Sequence, residues 1–167
     1  MEHYTRNDTE KMNMKSLELF LTATDKDIPN FGGTVEQPIW SDVEMRIQRA
    51  FQFGGTVQLS VIEPIYEHDG HFAVIESITM VSNPGKFRLI AAPLEKLGEK
   101  TKLREWWQVG DAPFRGTEKF GDDEWDTRTV CTDVFLAKQI LKDFFDHRGL
   151  TKEIFEQTLS VWDRKAR

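Results

Sequence analysis

Alternating apolar and polar positions predict β-strands in the N-terminal half of the chain. Four segments carry this pattern: 14–23, 56–66, 71–81 and 86–92. The connections EHDG (67–70) and SNPG (82–85) have the composition of tight turns. Because short connections join antiparallel neighbours, we expect the last three strands to form a meander. Pro64 indicates that the first of these three ends early or lies at a sheet edge, since proline has no N–H to donate.

A first helix is expected to begin near Ser41. Ser41 and Glu44 are spaced as a capping box, in which the hydroxyl and the carboxylate accept from exposed backbone N–H groups. The apolar residues that then share one face are Val43, Ile47, Ala50 and Phe51. Gly54 can end the helix, since glycine adopts the left-handed cap conformation at little cost.

A second helix is expected over residues 132–149. Thr132 or Asp133 can cap its N-terminus, and Gly149 can end it. Its core-facing positions are Val134, Ala137, Ile140, Leu141, Phe144 and Phe145. A third helix is expected to begin at Thr151 and to include Ile154, Phe155, Thr158 and Leu159.

The region between these helices and the meander carries a weaker pattern. A short helix or strand is expected around LREWWQV (103–109), and the β-branched stretch DTRTVCT (126–132) predicts one more strand. Residues 14–167 are therefore expected to form a single α+β domain, with an antiparallel meander of about four to five strands and about three helices packed on it. The polar residues 1–13 are expected to form a flexible N-terminal tail.

The charge balance narrows the partners that the protein can have. The 167 residues carry a formal net charge of -6. Nonspecific nucleic-acid binding requires many lysines and arginines, so we expect no nucleic-acid partner. A basic protein partner remains compatible, because opposite charges steer association.

Cysteine usage and hydropathy indicate a cytoplasmic protein. Cys131 is the single cysteine of the chain, so no intramolecular disulfide can form. A thiol without a pairing partner suits a reducing compartment. Neither a secretory signal nor an apolar run of membrane-spanning length is visible, so we expect no membrane association.

Candidate catalytic groups are few. His68 and His71 flank Asp69 and could ligate a metal, but Asp-Gly between two strand patterns is also typical of a plain hairpin. Asp122 and Asp126 could act as an acid/base pair. Phosphate-binding glycine motifs are absent. We therefore expect no cofactor and no catalytic residues, with a small hydrolase or metal-dependent enzyme as the alternative.

Residues 121–133, GDDEWDTRTVCTD, concentrate five carboxylates around one tryptophan. Arg128 could pair with Asp126 or Glu124, and Trp125 could pin the segment to the body of the protein. The remaining acids would then project into solvent, where they could face a positive partner surface. An ordinary solvated acidic loop is the other interpretation.

A second aromatic concentration lies upstream at Trp106 and Trp107. If this segment is extended, one indole faces inward and the other outward, and an outward tryptophan beside charges is a usual interface anchor. The alternative is that both indoles belong to the core. The residues predicted to bind a partner are Arg104, Glu105, Trp106, Trp107, Asp122, Asp123, Glu124, Trp125 and Asp126.

Two stretches give the chain a family resemblance. They are WDTRTVCTD (125–133), with the following LAKQILKDFF (136–145), and SVWDRK (160–165). Over roughly residues 40–167 the chain resembles bacterial immunity proteins of contact-dependent inhibition and polymorphic toxin systems. The resemblance implies a cytoplasmic protein that binds and neutralises one cognate toxin domain. It implies no catalytic residues and transfers no contact positions.

Charge agrees with this interpretation, because many toxin domains are nucleases and must be basic to bind phosphate. A regulatory subunit of a larger complex would fit the same features.

Overall fold

The computed structural model describes residues 18–25, 33–64, 72–93, 103–106 and 113–160. Several predicted features lie outside these residues: the tail at 1–13, the EHDG turn at 67–70 with His68, the following His71, and Trp107. Across the described residues, no helix is long and apolar enough to cross a membrane.

The described residues form an antiparallel sheet, a separate hairpin and three helices. The strands are β1 Glu18–Asp25, β2 Gly33–Glu36, β3 Gly55–Pro64, β4 Phe72–Asn83, β5 Lys86–Ala92, β6 Arg104–Trp106, β7 Thr117–Phe120, β8 Asp123–Asp126 and β9 Thr158–Ser160. The helices are α1 Trp40–Phe53, α2 Val134–His147 and α3 Lys152–Glu156.

The main sheet has the order β2-β1-β3-β4-β5-β6-β9, with every pairing antiparallel, and β7 pairs with β8 alone. The predicted α+β fold with an antiparallel meander is confirmed, and the sheet has more strands than expected.

One face of the sheet forms the core. The register aligns Leu21, Leu59, Ile78 and Ala91 across four neighbouring strands, and all four are buried. The helices α1 and α2 pack against this face and against each other. Their buried residues are Val43, Ile47 and Ala50 in α1 and Ala137, Ile140, Leu141 and Phe144 in α2. These are positions that helical spacing predicted, because burial of the apolar stripe stabilises each helix on the sheet.

The opposite face of the sheet is polar where β1, β2 and β3 meet. The hydroxyls of Thr24 and Thr56 lie 2.6 Å apart across two strands, and those of Thr22 and Thr34 lie 3.1 Å apart. Further toward β5 and β6, this polar face is covered by the β7–β8 hairpin. The hairpin therefore occupies the side of the sheet that the helices leave open.

The helix ends agree only in part with the predicted caps. The capping box at Ser41 and Glu44 is wrong, because α1 begins at Trp40 and its N-cap, Ile39, makes no side-chain cap hydrogen bond. Ser41 thus lies inside the first turn, and the Glu44 carboxylate instead lies 3.3 Å from the Lys138 ammonium group of α2. Gly54 ends α1 as expected, but its φ of +87° and ψ of 162° are not the left-handed cap conformation that was expected.

The second helix is capped by Asp133, one of the two predicted caps, and the third begins after Thr151 as expected. The third helix ends at Glu156, so the prediction that Thr158 and Leu159 belong to it is wrong, because they pair with β6 in β9. The Asp133 carboxylate accepts from the Phe135 N–H at 2.9 Å, and the Thr151 hydroxyl accepts from the Ile154 N–H at 3.4 Å. The left-handed residue that ends α2 is Arg148, with φ +51°, rather than Gly149.

The strand predicted at DTRTVCT is wrong. Thr127–Thr129 forms a 3₁₀ turn instead. The Asp126 carboxylate accepts from the Arg128 N–H at 2.9 Å, which closes the chain into a turn despite its β-branched residues. Beyond the turn, Cys131 makes one isolated bridge to Phe87, with N–H to carbonyl distances of 2.8 Å in both directions.

Candidate functional site

The acidic stretch forms the tip of the β7–β8 hairpin. The strands meet at a two-residue turn, Gly121-Asp122, and Phe120 pairs with Asp123. Gly121 has φ +63°, a conformation that glycine adopts without steric cost at the first central position of a tight hairpin turn. Gly-Asp is a recognised hairpin turn, so the sequence contained a signal for this turn, although the flanking segments TEKF and DEWD are mostly charged.

Three carboxylates crowd this tip. Asp122, Asp123 and Glu124 are consecutive and all exposed to solvent. Glu124 accepts a hydrogen bond from the Thr117 hydroxyl at 2.9 Å and stands opposite Lys119 in the register. Asp122 and Asp123 therefore provide most of the negative charge at the outer end of the hairpin.

The base of the hairpin is held by a short-range ion pair. Asp126 is buried, and its carboxylate accepts from the Arg128 guanidinium, with Nε at 3.0 Å from Oδ1 and a terminal nitrogen at 2.5 Å from Oδ2. The hydrogen bond that Arg128 donates to the Asp126 carboxylate raises the pKa of Arg128 above its ordinary value. Of the two partners predicted for Arg128, the structure has Asp126.

A buried arginine joins the hairpin to the sheet. Arg88 of β5 alternates with the core residues Phe87 and Leu89, so its side chain lies on the opposite face, where it is 1% exposed. Its guanidinium forms an ion pair with Glu105 of β6, which is equally buried. The same group lies 3.7 Å from the centroid of the Trp125 ring. Trp125 thus pins the hairpin to the body of the protein, as the sequence indicated.

The 3₁₀ turn joins the same cluster. Arg88 Nε donates to the Thr129 hydroxyl at 3.0 Å, and that hydroxyl donates to the Asp126 carbonyl at 2.7 Å. One guanidinium therefore connects β5, β6, β8 and the turn that follows β8. A charge at this depth is tolerated only because it is paired and hydrogen-bonded.

Two further contacts attach β7 to the sheet. The Asn83 side-chain amide donates to the Lys119 carbonyl at 2.8 Å, and the Lys86 ammonium group pairs with Glu118. Phe120, the last residue of β7, is buried. The tip carboxylates are consequently mounted on a hairpin that is fixed at both strands.

The predicted partner-binding residues differ in exposure. Asp122, Asp123 and Glu124 lie on the surface. Three others are corrections, because Glu105, Trp106 and Asp126 are buried and cannot contribute side chains to an exposed surface. Glu105 is drawn inside by Arg88, and Asp126 by Arg128 and the 3₁₀ turn.

Trp106, Trp125 and Arg104 have structural partners, while Trp107 lies outside the residues that the structure describes. Trp106 packs in the core beneath α2 and α3. Trp125 is half-buried against Arg88. Arg104 donates from Nε to the Thr158 hydroxyl at 2.7 Å and stacks on Phe155 at 3.9 Å, which ties β6 to β9 and α3.

One exposed aromatic near the hairpin was missed. Phe114 is 49% exposed, and its ring centroid lies 5.6 Å from the Arg128 guanidinium. The sequence offers no periodic signal here, because Phe114 lies in an irregular segment between a proline and a glycine.

Within the described residues, no group of three or more histidine, cysteine, aspartate or glutamate side chains is arranged to hold a metal ion. Cys131 is buried, as free cysteines often are. The alternative metal site at His68 and His71 lies outside the residues that the structure describes.

The fold and the hairpin define a small α+β protein with a helix-covered sheet and an acidic hairpin on the other face. Residues 19–154 match the model of a family of unknown function, DUF6911, and the chain belongs to that family. No curated protein matches the chain.

A solved structure shares the fold. It is the crystal structure of a hypothetical protein from Neisseria gonorrhoeae, 10% identical in sequence, with a TM-score of 0.58. The match covers 91% of this chain and 98% of that one. At this identity the similarity establishes a common fold and nothing about activity.

Proposed function

We propose that this protein is a cytoplasmic immunity protein that binds a cognate toxin domain through the acidic tip of the β7–β8 hairpin and neutralises it. The observation that carries the proposal is the mounting of three consecutive exposed carboxylates, Asp122, Asp123 and Glu124, on a hairpin that a buried arginine fixes to the sheet.

The charge of the tip determines the kind of partner. A toxin domain that cleaves nucleic acid carries a basic surface for phosphate contacts. Carboxylates at a protruding tip are attracted to such a surface and can occupy it in place of the phosphates. Charge complementarity of this kind acts mainly on the association rate and on the choice of partner.

The rigid attachment of the hairpin supports binding for a separate reason. A loop that must be ordered on association loses conformational entropy, and this loss weakens binding. Here the Arg88 stack on Trp125 and the Asn83 hydrogen bond hold the hairpin before any partner arrives. The carboxylates are therefore presented in a preorganised geometry.

Co-expression tests the function itself. Immunity proteins of polymorphic toxin systems are encoded beside their toxins, so the proposal places a toxin domain in the product of the gene immediately upstream. The protein is produced in bacteria together with that domain, and survival and co-purification are measured. Survival together with a stable one-to-one complex is the expected result. An active toxin with no complex would reject the proposed immunity function.

Association kinetics then test the hairpin. The double substitution Asp122→Lys, Asp123→Lys is expected to slow association about tenfold at low salt, because it reverses charge where the surfaces first meet. The control is Glu153→Lys, Glu156→Lys, which changes net charge equally at exposed positions of α3. Both variants should keep the thermal stability of the parent. Equal association rates for the two variants would remove the hairpin from the binding surface.

A further inference from the structure

Phe114 has the features of an interface anchor beside the acidic tip. Its side chain is half exposed, and its ring centroid lies 5.6 Å from the Arg128 guanidinium, which the Asp126 carboxylate holds in place. A cation–π neighbour at this distance attracts the ring, and the apolar area that the ring buries on binding can stabilise a complex.

The segment that carries Phe114 is tied to the base of the hairpin. The Thr127 N–H donates to the Gly116 carbonyl at 3.1 Å, and Thr117 pairs with Asp126 in the register. Phe114 precedes Asp122 by eight residues, so the two lie at most roughly 26 Å apart at about 3.3 Å per residue. Phe114 and the tip carboxylates therefore fit within one interface of about 800 Å² per partner.

We propose that Phe114 anchors the same partner that the carboxylate tip attracts, so that the binding surface extends from the tip of the hairpin to its base. This inference rests on the proposed function. The partner that fits is a basic protein surface with an apolar depression beside its positive residues. Interfaces of this kind place an aromatic anchor in an apolar contact and surround it with charged groups.

Charge and apolar contact act on different rate constants. The tip carboxylates act over distance, so they set the association rate and its salt dependence. Phe114 acts only after contact, so it sets the dissociation rate. The two halves of the surface can therefore be separated by kinetics.

The experiment compares Phe114→Ser with Phe135→Ser. Phe135 is a matched control, because it is 75% exposed, lies on α2 and has the Lys138 ammonium group 5.9 Å from its ring. Association and dissociation rates are measured against the toxin domain of the upstream gene at low and high salt. Phe114→Ser should dissociate about tenfold faster with nearly unchanged association at both salt concentrations, while Phe135→Ser behaves as wild type.

The outcomes separate the two proposals. Wild-type protein that forms no complex rejects the proposed function, and the anchor with it. A wild-type complex that Phe114→Ser and Phe135→Ser weaken equally, or not at all, rejects the anchor and leaves the proposed function intact.

Discussion

Replacing Arg88 with methionine tests the attachment of the hairpin most severely. The guanidinium pairs with buried Glu105, donates to the Thr129 hydroxyl and stacks on Trp125. Methionine fills similar space without charge, so the Glu105 carboxylate stays inside without its arginine. Removing one partner of a buried ion pair costs about 3–5 kcal/mol, which is a large part of the stability of a domain of this size.

Urea unfolding of the wild type and its variants measures this loss. The control is Lys86→Met on the same strand. The Lys86 side chain is 37% exposed, and its ammonium group pairs with Glu118 of the β7–β8 hairpin. Partly exposed pairs contribute about 0–1 kcal/mol, so this variant should lose little stability. A double variant, Arg88→Met with Glu105→Leu, should recover part of the loss, because it leaves no buried charge unpaired.

Three results would contradict the role assigned to the Arg88–Glu105 pair. In the first, Arg88→Met loses as little unfolding free energy as Lys86→Met. In the second, the double variant is no more stable than Arg88→Met alone. In the third, the hairpin amides of Arg88→Met exchange hydrogen as slowly as those of the wild type. Each result would mean that the buried pair does not hold the hairpin on the sheet.

Three further changes test local features of the fold, each by thermal unfolding. Asp126→Asn weakens the ion pair with Arg128 and should cost about 1–2 kcal/mol, since hydrogen bonds between charged groups are the stronger ones. Gly121→Ala should cost about 1 kcal/mol. No atom lies within 4 Å of the added carbon, so the cost comes from backbone strain at φ +63° and not from a clash, and Gly121→Asn should cost less. Asp133→Ala should cost about 1 kcal/mol, because it removes the N-terminal cap of α2. Ser41→Ala should have almost no effect on stability, and a larger loss would mean that Ser41 does cap α1.

The central strands and the two long helices could be predicted from the sequence. Strands β3 to β5 have alternating apolar residues and turn compositions between them, and α1 and α2 carry apolar stripes at helical spacing. These elements bury much of their own apolar surface, so local periodicity reports their final environment.

Elements at the edges of the fold gave weaker signals. Strand β2 is four residues long, with three of them exposed, and β9 is three residues long. The strands of the hairpin consist mostly of charged residues, with Phe120 and Trp125 among them, and this is also the composition of a solvated loop. Only the Gly-Asp turn marked the hairpin.

The site itself depends on contacts that local sequence does not encode. Arg88 occupies a polar position of an amphipathic strand, which predicts exposure, yet the hairpin covers it. Glu105 pairs with Arg88 from another strand, 17 residues away. By contrast, the pairing of Asp126 with Arg128 is local, and it was among the alternatives that the sequence suggested.

Hydrogen–deuterium exchange of the protein, alone and with the toxin domain of the upstream gene, locates the binding surface. Binding should slow exchange in the hairpin, at residues 117–126, and in the adjoining segment 113–116. Exchange in α1 and α2 should not change. Protection confined to the helices or to strands β1–β3, with the hairpin unchanged, would show that the hairpin is not the binding surface.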